Sequence, residues 1–253
     1  MNIKFGDCLD AVSKSIELNK LRMAGEFKSR DGEVFKIVGA IEIEEIDFFS
    51  SIVLKKNINV LDIGVGKGVS TALFASMENV NKVVGIDPYQ SSEHNNSLIK
   101  LCDLLNIAKE KIILVESKSI EAKPSLNDLD LKFDLILVDG YHSFDSTLVD
   151  FLIGHEFLND GGLIAFHDCF YKQKQKVLSF IIKNRDYEIV NQYPKCRRQV
   201  FVRTLRFFWH LFKYRTNPID GIRFLNPFFT DSSLVVLRKN SGMEPKYWEF
   251  KGL

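Results

Sequence analysis

The sequence predicts a doubly wound α/β fold, and three observations carry that prediction. Five short runs rich in Val, Ile and Leu recur between residues 59 and 193. None alternates apolar with polar, which is how strands buried on both faces of a parallel sheet read. The stretches between them have helical patterns, as right-handed crossovers require. The first run also ends in a glycine-rich turn with a helix directly after it, the arrangement by which open α/β sheets bind ligands at strand carboxyl ends.

In chain order, the predicted strands are Asn59–Ile63, Lys82–Ile86, Lys111–Val115, Phe133–Val138 and Gly162–His167. The predicted helices are Ser70–Met77, Ser97–Leu105, Phe144–Leu158 and Lys172–Lys183. Two further strands, Tyr187–Gln192 and Ser233–Arg238, close the pattern without a compact crossover between them. Residues 1–56 stand outside this rhythm and read as a helical arm or lid, with Asp7 or Asp10 as N-cap. Residues 57–253 form the catalytic domain in this reading, interrupted by an insertion at 195–229.

Composition narrows the function classes. Lys and Arg total 34 against 33 acids, and 45% of residues are hydrophobic, an ordinary balance for a globular chain. No apolar run approaches the ~18 residues of a membrane span, and the N-terminus has acids where a secretory signal needs its apolar stretch. Cys8, Cys102, Cys169 and Cys196 are far apart and read as reduced thiols, so the expected setting is cytoplasmic. There is no P-loop around Lys67 and no GxSxG elbow. His94, His155 and the Glu42, Glu44, Glu45 group receive structural readings, the glutamates as a solvated helix face.

The chemistry begins at Asp62-Ile63-Gly64-Val65-Gly66-Lys67-Gly68. Glycine is needed where a backbone takes positive φ or approaches a ligand closely. Asp87, followed by Pro88, ends the second strand 19 residues beyond Gly68, where an acid can accept both hydroxyls of a ribose. NAD(P) and S-adenosylmethionine both fit these two features. The glycine spacing is not the GxGxxG of a dinucleotide fold. An acid two residues before the first of three alternate glycines resembles the first motif of class I S-adenosylmethionine-dependent methyltransferases. That resemblance implies a Rossmann-like sheet, mostly parallel, whose antiparallel seventh strand would be Ser233–Arg238. It also implies that Gly64, Gly66 and Gly68 make room for the cofactor's methionine portion. Asp62 would support the loop and the amino group, Asp87 the ribose, and the stretch around Ser117 the adenine.

A second constellation follows the fourth and fifth strands: Asp139-Gly140-Tyr141-His142 and His167-Asp168-Cys169. Adjacent parallel strands bring these ends to one rim. Asp139 and Asp168 offer oxygen ligands suited to Mg²⁺, and a neutral His142 can take a proton from a hydroxyl. The pattern resembles sugar and antibiotic-tailoring O-methyltransferases of the same class. The resemblance implies Asp139 and Asp168 as metal ligands and His142 as base, while His167 departs from the usual pattern.

The insertion supplies the remaining signal. Lys195–Arg215 holds seven Lys or Arg and no acid, and a helix there would place Arg203, Arg206, His210 and Lys213 along one stripe. Three readings stand: packing on the core or a second copy of the chain, a flap over a phosphorylated or nucleotide-linked substrate, and peripheral contact with an anionic membrane. Nucleic acid is not an expected partner, because no second basic face accompanies the stretch. The expected function is O-methylation of a sugar or other small polar acceptor with possible Mg²⁺ assistance. N-methylation of a small amine and a non-catalytic cofactor-binding scaffold are the alternatives.

Overall fold

The central strand β3 (Ile58–Ile63) owes its place to an apolar run, INVLDI, in which five of six residues are buried. The structure is a computed structural model describing residues 25–28, 32, 34–37, 45, 48–49, 51, 57–193, 232–241 and 251. Around β3 lie β4 (Val80–Ile86), β5 (Ile112–Val115), β6 (Phe133–Val138), β7 (Leu158–Phe166), β8 (Tyr187–Tyr193) and β9 (Leu234–Lys239). They form a seven-stranded sheet in the order β5-β4-β3-β6-β7-β9-β8. β3 pairs in parallel with both β4 and β6, whereas β9 runs antiparallel to β7 and β8. The fold is the expected α/β methyltransferase-type sheet, parallel except for its seventh strand in sequence.

Residues next to one another in a strand face opposite sides, so two cores flank the sheet. Val60, Val83 and Leu135 pack on one face with α1 (Val69–Ser76) and α2 (Ser97–Leu105), through Phe74 and Leu101. Leu61, Val84 and Ile136 pack on the other with α4 (Phe144–Phe157) and α5 (Lys172–Asn184), through Phe151, Val177 and Leu178. Between β5 and β6, a short α3 (Lys123–Asp128) escapes sequence reading because six residues are too few to show a period.

Two boundaries differ from the sequence expectation for physical reasons. β7 begins at Leu158, four residues before its predicted start, because Asn159-Asp160-Gly161-Gly162 has the composition of a turn yet is carried within the strand. The arm expected to be helical contains a hairpin, β1 (Gly25–Lys28) paired antiparallel with β2 (Val34–Ile37). The connection includes Gly32 at φ 91, a left-handed backbone that glycine adopts without strain, and this reversal between two short β-prone runs outweighs weak helical periodicity. Glu45, Phe48, Phe49 and Ser51 are helical. The basic aromatic insertion at 195–229, like Glu42, Glu44, Cys8 and Cys196, lies outside the described residues. Among the described residues, no helix is long and apolar enough to cross a membrane.

Candidate active site

Strand register assembles the site. Ile63 pairs with Ile86 and with Val138, and Val138 pairs with Phe166. One step further the ladder continues: Gly64 N–H donates to Ile86 O (2.9 Å), Asp139 N–H to Ile63 O (2.8 Å) and His167 N–H to Val138 O (3.2 Å). Asp87 N–H likewise donates to Val115 O at 3.2 Å. Asp87, Gly64, Asp139 and His167 thus form one row along the carboxyl rim, with Pro88 beyond the first and Ser117 at the end of β5.

The glycines divide their work. A side chain on Gly64 would stand 2.4 Å from Asp139 O, and one on Gly68 would stand 2.6 Å from Leu98 Cα. Gly64 and Gly68 therefore let backbones and helices close up. A Cβ on Gly66, at φ +53, meets nothing within 4 Å, so Gly66 alone keeps open space beside the turn. The turn is braced from below and from the side. Asp62 Oδ2 accepts from Ser70 Oγ (2.7 Å) and Thr71 Oγ1 (2.6 Å) in the first turn of α1. Asp87 Oδ2 accepts from Gly66 N–H at 2.8 Å and its Oδ1 from Tyr89 N–H at 2.8 Å. Each Asp87 oxygen retains a second lone pair for a hydroxyl.

Sequence reading missed Gln90, which is 1% exposed and donates through Nε2 to Gly66 O. Asp62 Oδ1 and Gln90 Oε1 are buried acceptors without a hydrogen-bond partner. Burial, partly offset by the Thr71 and Ser70 hydroxyls, raises the Asp62 carboxyl from its ordinary 3.8 to about 7. Buried acceptors are costly when unpaired, and a cationic amino group beside the open face of Gly66 is the partner that would satisfy them. The residues present fit S-adenosylmethionine.

Farther along the rim, Asp139, His142 and Asp168 converge. One candidate ligand atom from each lies within 4.8 Å of the others. Ser143 N-caps α4, its Oγ accepting from Ser146 N–H at 3.2 Å, which fixes the chain directly after His142. Asp168 takes left-handed backbone, φ 54, which turns it out of the strand toward His142. His142 Nε2 lies 3.4 Å from Asp168 Oδ2, and its ring stacks on Tyr171 with centroids 5.4 Å apart. Two carboxylate oxygens and an imidazole nitrogen form a donor set that a divalent cation accepts. His142 is the third ligand candidate that sequence reasoning did not find.

Behind this trio stands a charged layer. His167 Nδ1 meets Asp139 Oδ1 at 3.1 Å and its Nε2 meets Glu45 Oε2 at 3.0 Å. Lys174, 1% exposed, donates to His167 O at 2.7 Å and lies 3.8 Å from Asp139 Oδ1. Burial pushes His167 down, but the Asp139 and Glu45 carboxylates outweigh it and raise the imidazole well above its ordinary value. Burial likewise pushes Asp139 up, but the charge and hydrogen bond of His167, together with the Lys174 charge, hold it below its ordinary value. Burial and the Lys174 charge lower His142, against the pull of Asp139 and Asp168. Glu45, wholly buried, corrects the expectation of a solvated glutamate face. Cys169 is buried with its thiol raised, and Cys102 is pushed up to about 12; both remain inert thiols.

Strand order, glycine turn and acidic strand ends together define the class I S-adenosylmethionine-dependent methyltransferase architecture. Residues 61–169 match the family model described as a methyltransferase domain. An uncharacterised protein of Acanthamoeba polyphaga mimivirus is 26% identical over 116 residues, 45% of this chain and 52% of that protein. The chain thus spans about half the length of this curated relative. Among solved structures, an O-methyltransferase from Streptomyces achromogenes involved in tomaymycin synthesis, in complex with SAM, is 12% identical at TM-score 0.56. It covers 80% of this chain and 82% of its own. An rRNA methylase from Streptococcus thermophilus is 17% identical at TM-score 0.52, covering 78% and 95%. An O-methyltransferase from Bacillus cereus, in complex with SAH, is 14% identical at TM-score 0.50, covering 61% and 76%. At these identities the likeness is one of fold.

Proposed function

We propose that the protein transfers a methyl group from S-adenosylmethionine to a hydroxyl of a small polar acceptor, a sugar or nucleotide-linked sugar being the class favoured. The observation that carries this is the placement of His142 beside Asp139 and Asp168, in the same rim row as the braced glycine turn. Bound S-adenosylmethionine supplies an electrophilic methyl on a sulfonium. Gly66 leaves space for its methionine portion, Asp62 Oδ1 and Gln90 Oε1 face its amino group, Asp87 accepts from the ribose, and Ser117 lies on the adenine side. An alkyl transfer of this kind depends on alignment and on excluding water. His142 removes the acceptor proton at Nε2, and the Asp168 carboxylate beside that atom stabilises the imidazolium that results. Tyr141, 81% exposed, with Phe170 and Tyr171 partly exposed beside it, gives the rim aromatic faces on which a sugar ring can rest. This acidic, aromatic surface suits a sugar ring better than the repeating phosphates of a nucleic-acid backbone.

A second reading rests on the convergence of the three ligand atoms. Asp139 and Asp168, joined by His142, would hold Mg²⁺ or a similar cation, whose chemistry would be to lower the pKa of the acceptor hydroxyl. One nitrogen cannot be both ligand and base, so the two readings are exclusive for His142 Nε2.

Calorimetric titration with S-adenosylmethionine and with NAD tests the cofactor, and heat with NAD alone overturns the reading. Against a panel of sugar hydroxyl acceptors, His142→Ala is expected to lower turnover by ~10²–10⁴-fold. If turnover survives EDTA but not His142→Ala, the histidine is the base. If EDTA abolishes turnover and Mg²⁺ restores it, a metal is required. Methylation of small amines, indifferent to both treatments, would replace oxygen by nitrogen as the acceptor atom.

A further inference from the structure

Glu45 belongs to none of the motifs that define the class, yet it is wholly buried against the rim. Its Oε2 meets His167 Nε2 at 3.0 Å, while its Oε1 accepts from Ser233 Oγ, whose oxygen also lies 3.1 Å from Tyr193 O. His167 in turn meets Asp139 Oδ1 through Nδ1 at 3.1 Å. An unbroken chain of polar contacts therefore runs from the start of β9 through Glu45 and His167 to Asp139. An imidazole with a carboxylate on each nitrogen has no freedom to rotate, and Lys174 fixes the His167 carbonyl as well. A core position needing only volume would be filled by an apolar side chain, since a buried ion pair adds little net stability over one. The arrangement makes sense as a device for aiming a carboxylate.

We propose that Glu45 is a positioning residue for the transfer centre, holding His167 so that Asp139 faces Asp168 and His142 in the geometry a divalent cation requires. This rests on the metal reading of the same site. Outer partners of metal ligands orient them, and their loss typically costs 10–100-fold in affinity.

The test uses the full chain and Mn²⁺ as probe, followed by electron paramagnetic resonance, with S-adenosylmethionine affinity measured in parallel. Glu45→Ala should weaken Mn²⁺ binding by ~10–100-fold and leave S-adenosylmethionine affinity within ~3-fold. Glu45→Gln, whose carbonyl oxygen can still accept from His167 Nε2–H, should recover Mn²⁺ affinity to within ~3-fold of wild type. Glu45→Met, which preserves volume, replaces the alanine variant if that one does not fold. Unchanged Mn²⁺ affinity in the Ala or Met variant overturns the proposal. So does parallel loss of Mn²⁺ and S-adenosylmethionine binding, which marks Glu45 as structural only. A wild-type protein that binds S-adenosylmethionine but no Mn²⁺ overturns it too, while leaving methyl transfer through His142 standing.

Discussion

Asp62 is a carboxylate that the fold buries completely, satisfies on one oxygen with two hydroxyls and leaves unpaired on the other. Its proton is held up to about pH 7, against an ordinary 3.8. The unfolded chain loses that proton first, so across this interval the folded state binds more protons and stability falls as pH rises, levelling above about 7. Asp62→Asn removes the effect. The variant's melting temperature relative to wild type should therefore rise from pH 5 to pH 8, while S-adenosylmethionine affinity drops because the amino group loses an anionic partner. A melting difference that is flat with pH would show that Asp62 is already ionised. Asp62, Asp87, Asp139, His142 and Asp168 were singled out in sequence because each lies at or just beyond the end of an apolar strand, and strand register brings those ends to one rim. Glu45 was not legible: it stands 122 residues from His167, and nothing in the sequence sets it apart from Glu42 and Glu44 beside it.

At the scale of elements, the β3–α1 turn joins packing to binding. Gly64 and Gly68 would bring a Cβ within 2.4 Å of Asp139 O and 2.6 Å of Leu98 Cα, both backbone atoms that cannot swing aside. Gly66 would meet nothing. Gly68→Ala, strained also by φ +89, should destabilise the apo protein by ~2 kcal/mol or more. Gly66→Ala should cost ~1 kcal/mol for its left-handed backbone and fold normally, yet lose S-adenosylmethionine binding. Denaturant melts and calorimetry separate these outcomes, and normal cofactor affinity in Gly66→Ala would remove that glycine from the site. All seven sheet strands were legible from apolar runs, as were four helices; the α3 helix and the β1–β2 hairpin were not. The first has too few residues for a period, and the second depends on a reversal at Gly32 rather than on composition across the arm.

For the whole molecule, sheet order matters more than chain order. β9 comes last of the strands yet sits between β7 and β8, pairing with both over Leu163–Phe166 and Tyr187–Tyr193. Leu234, Val235, Val236 and Leu237 are wholly buried and serve both cores, Leu234 and Val236 on one face, Val235 and Leu237 on the other. Ser233, at its start, also anchors Glu45, and Cys169 N–H donates to Ser233 O at 3.0 Å directly beside Asp168. One strand thus holds the sheet edge, both cores and the rear of the rim. Its four fully buried branched residues represent ~6–12 kcal/mol of transfer free energy, comparable with a whole domain's net stability. A chain ending before Ser232 should consequently lose cooperative folding rather than merely fray at an edge. Far-UV circular dichroism and thermal melts would show this as loss of a single transition, accompanied by loss of S-adenosylmethionine binding at the distant β3–α1 turn. A truncated chain that still melts cooperatively and binds the cofactor would mean that β8 re-pairs directly with β7, and that the antiparallel strand serves the rim alone.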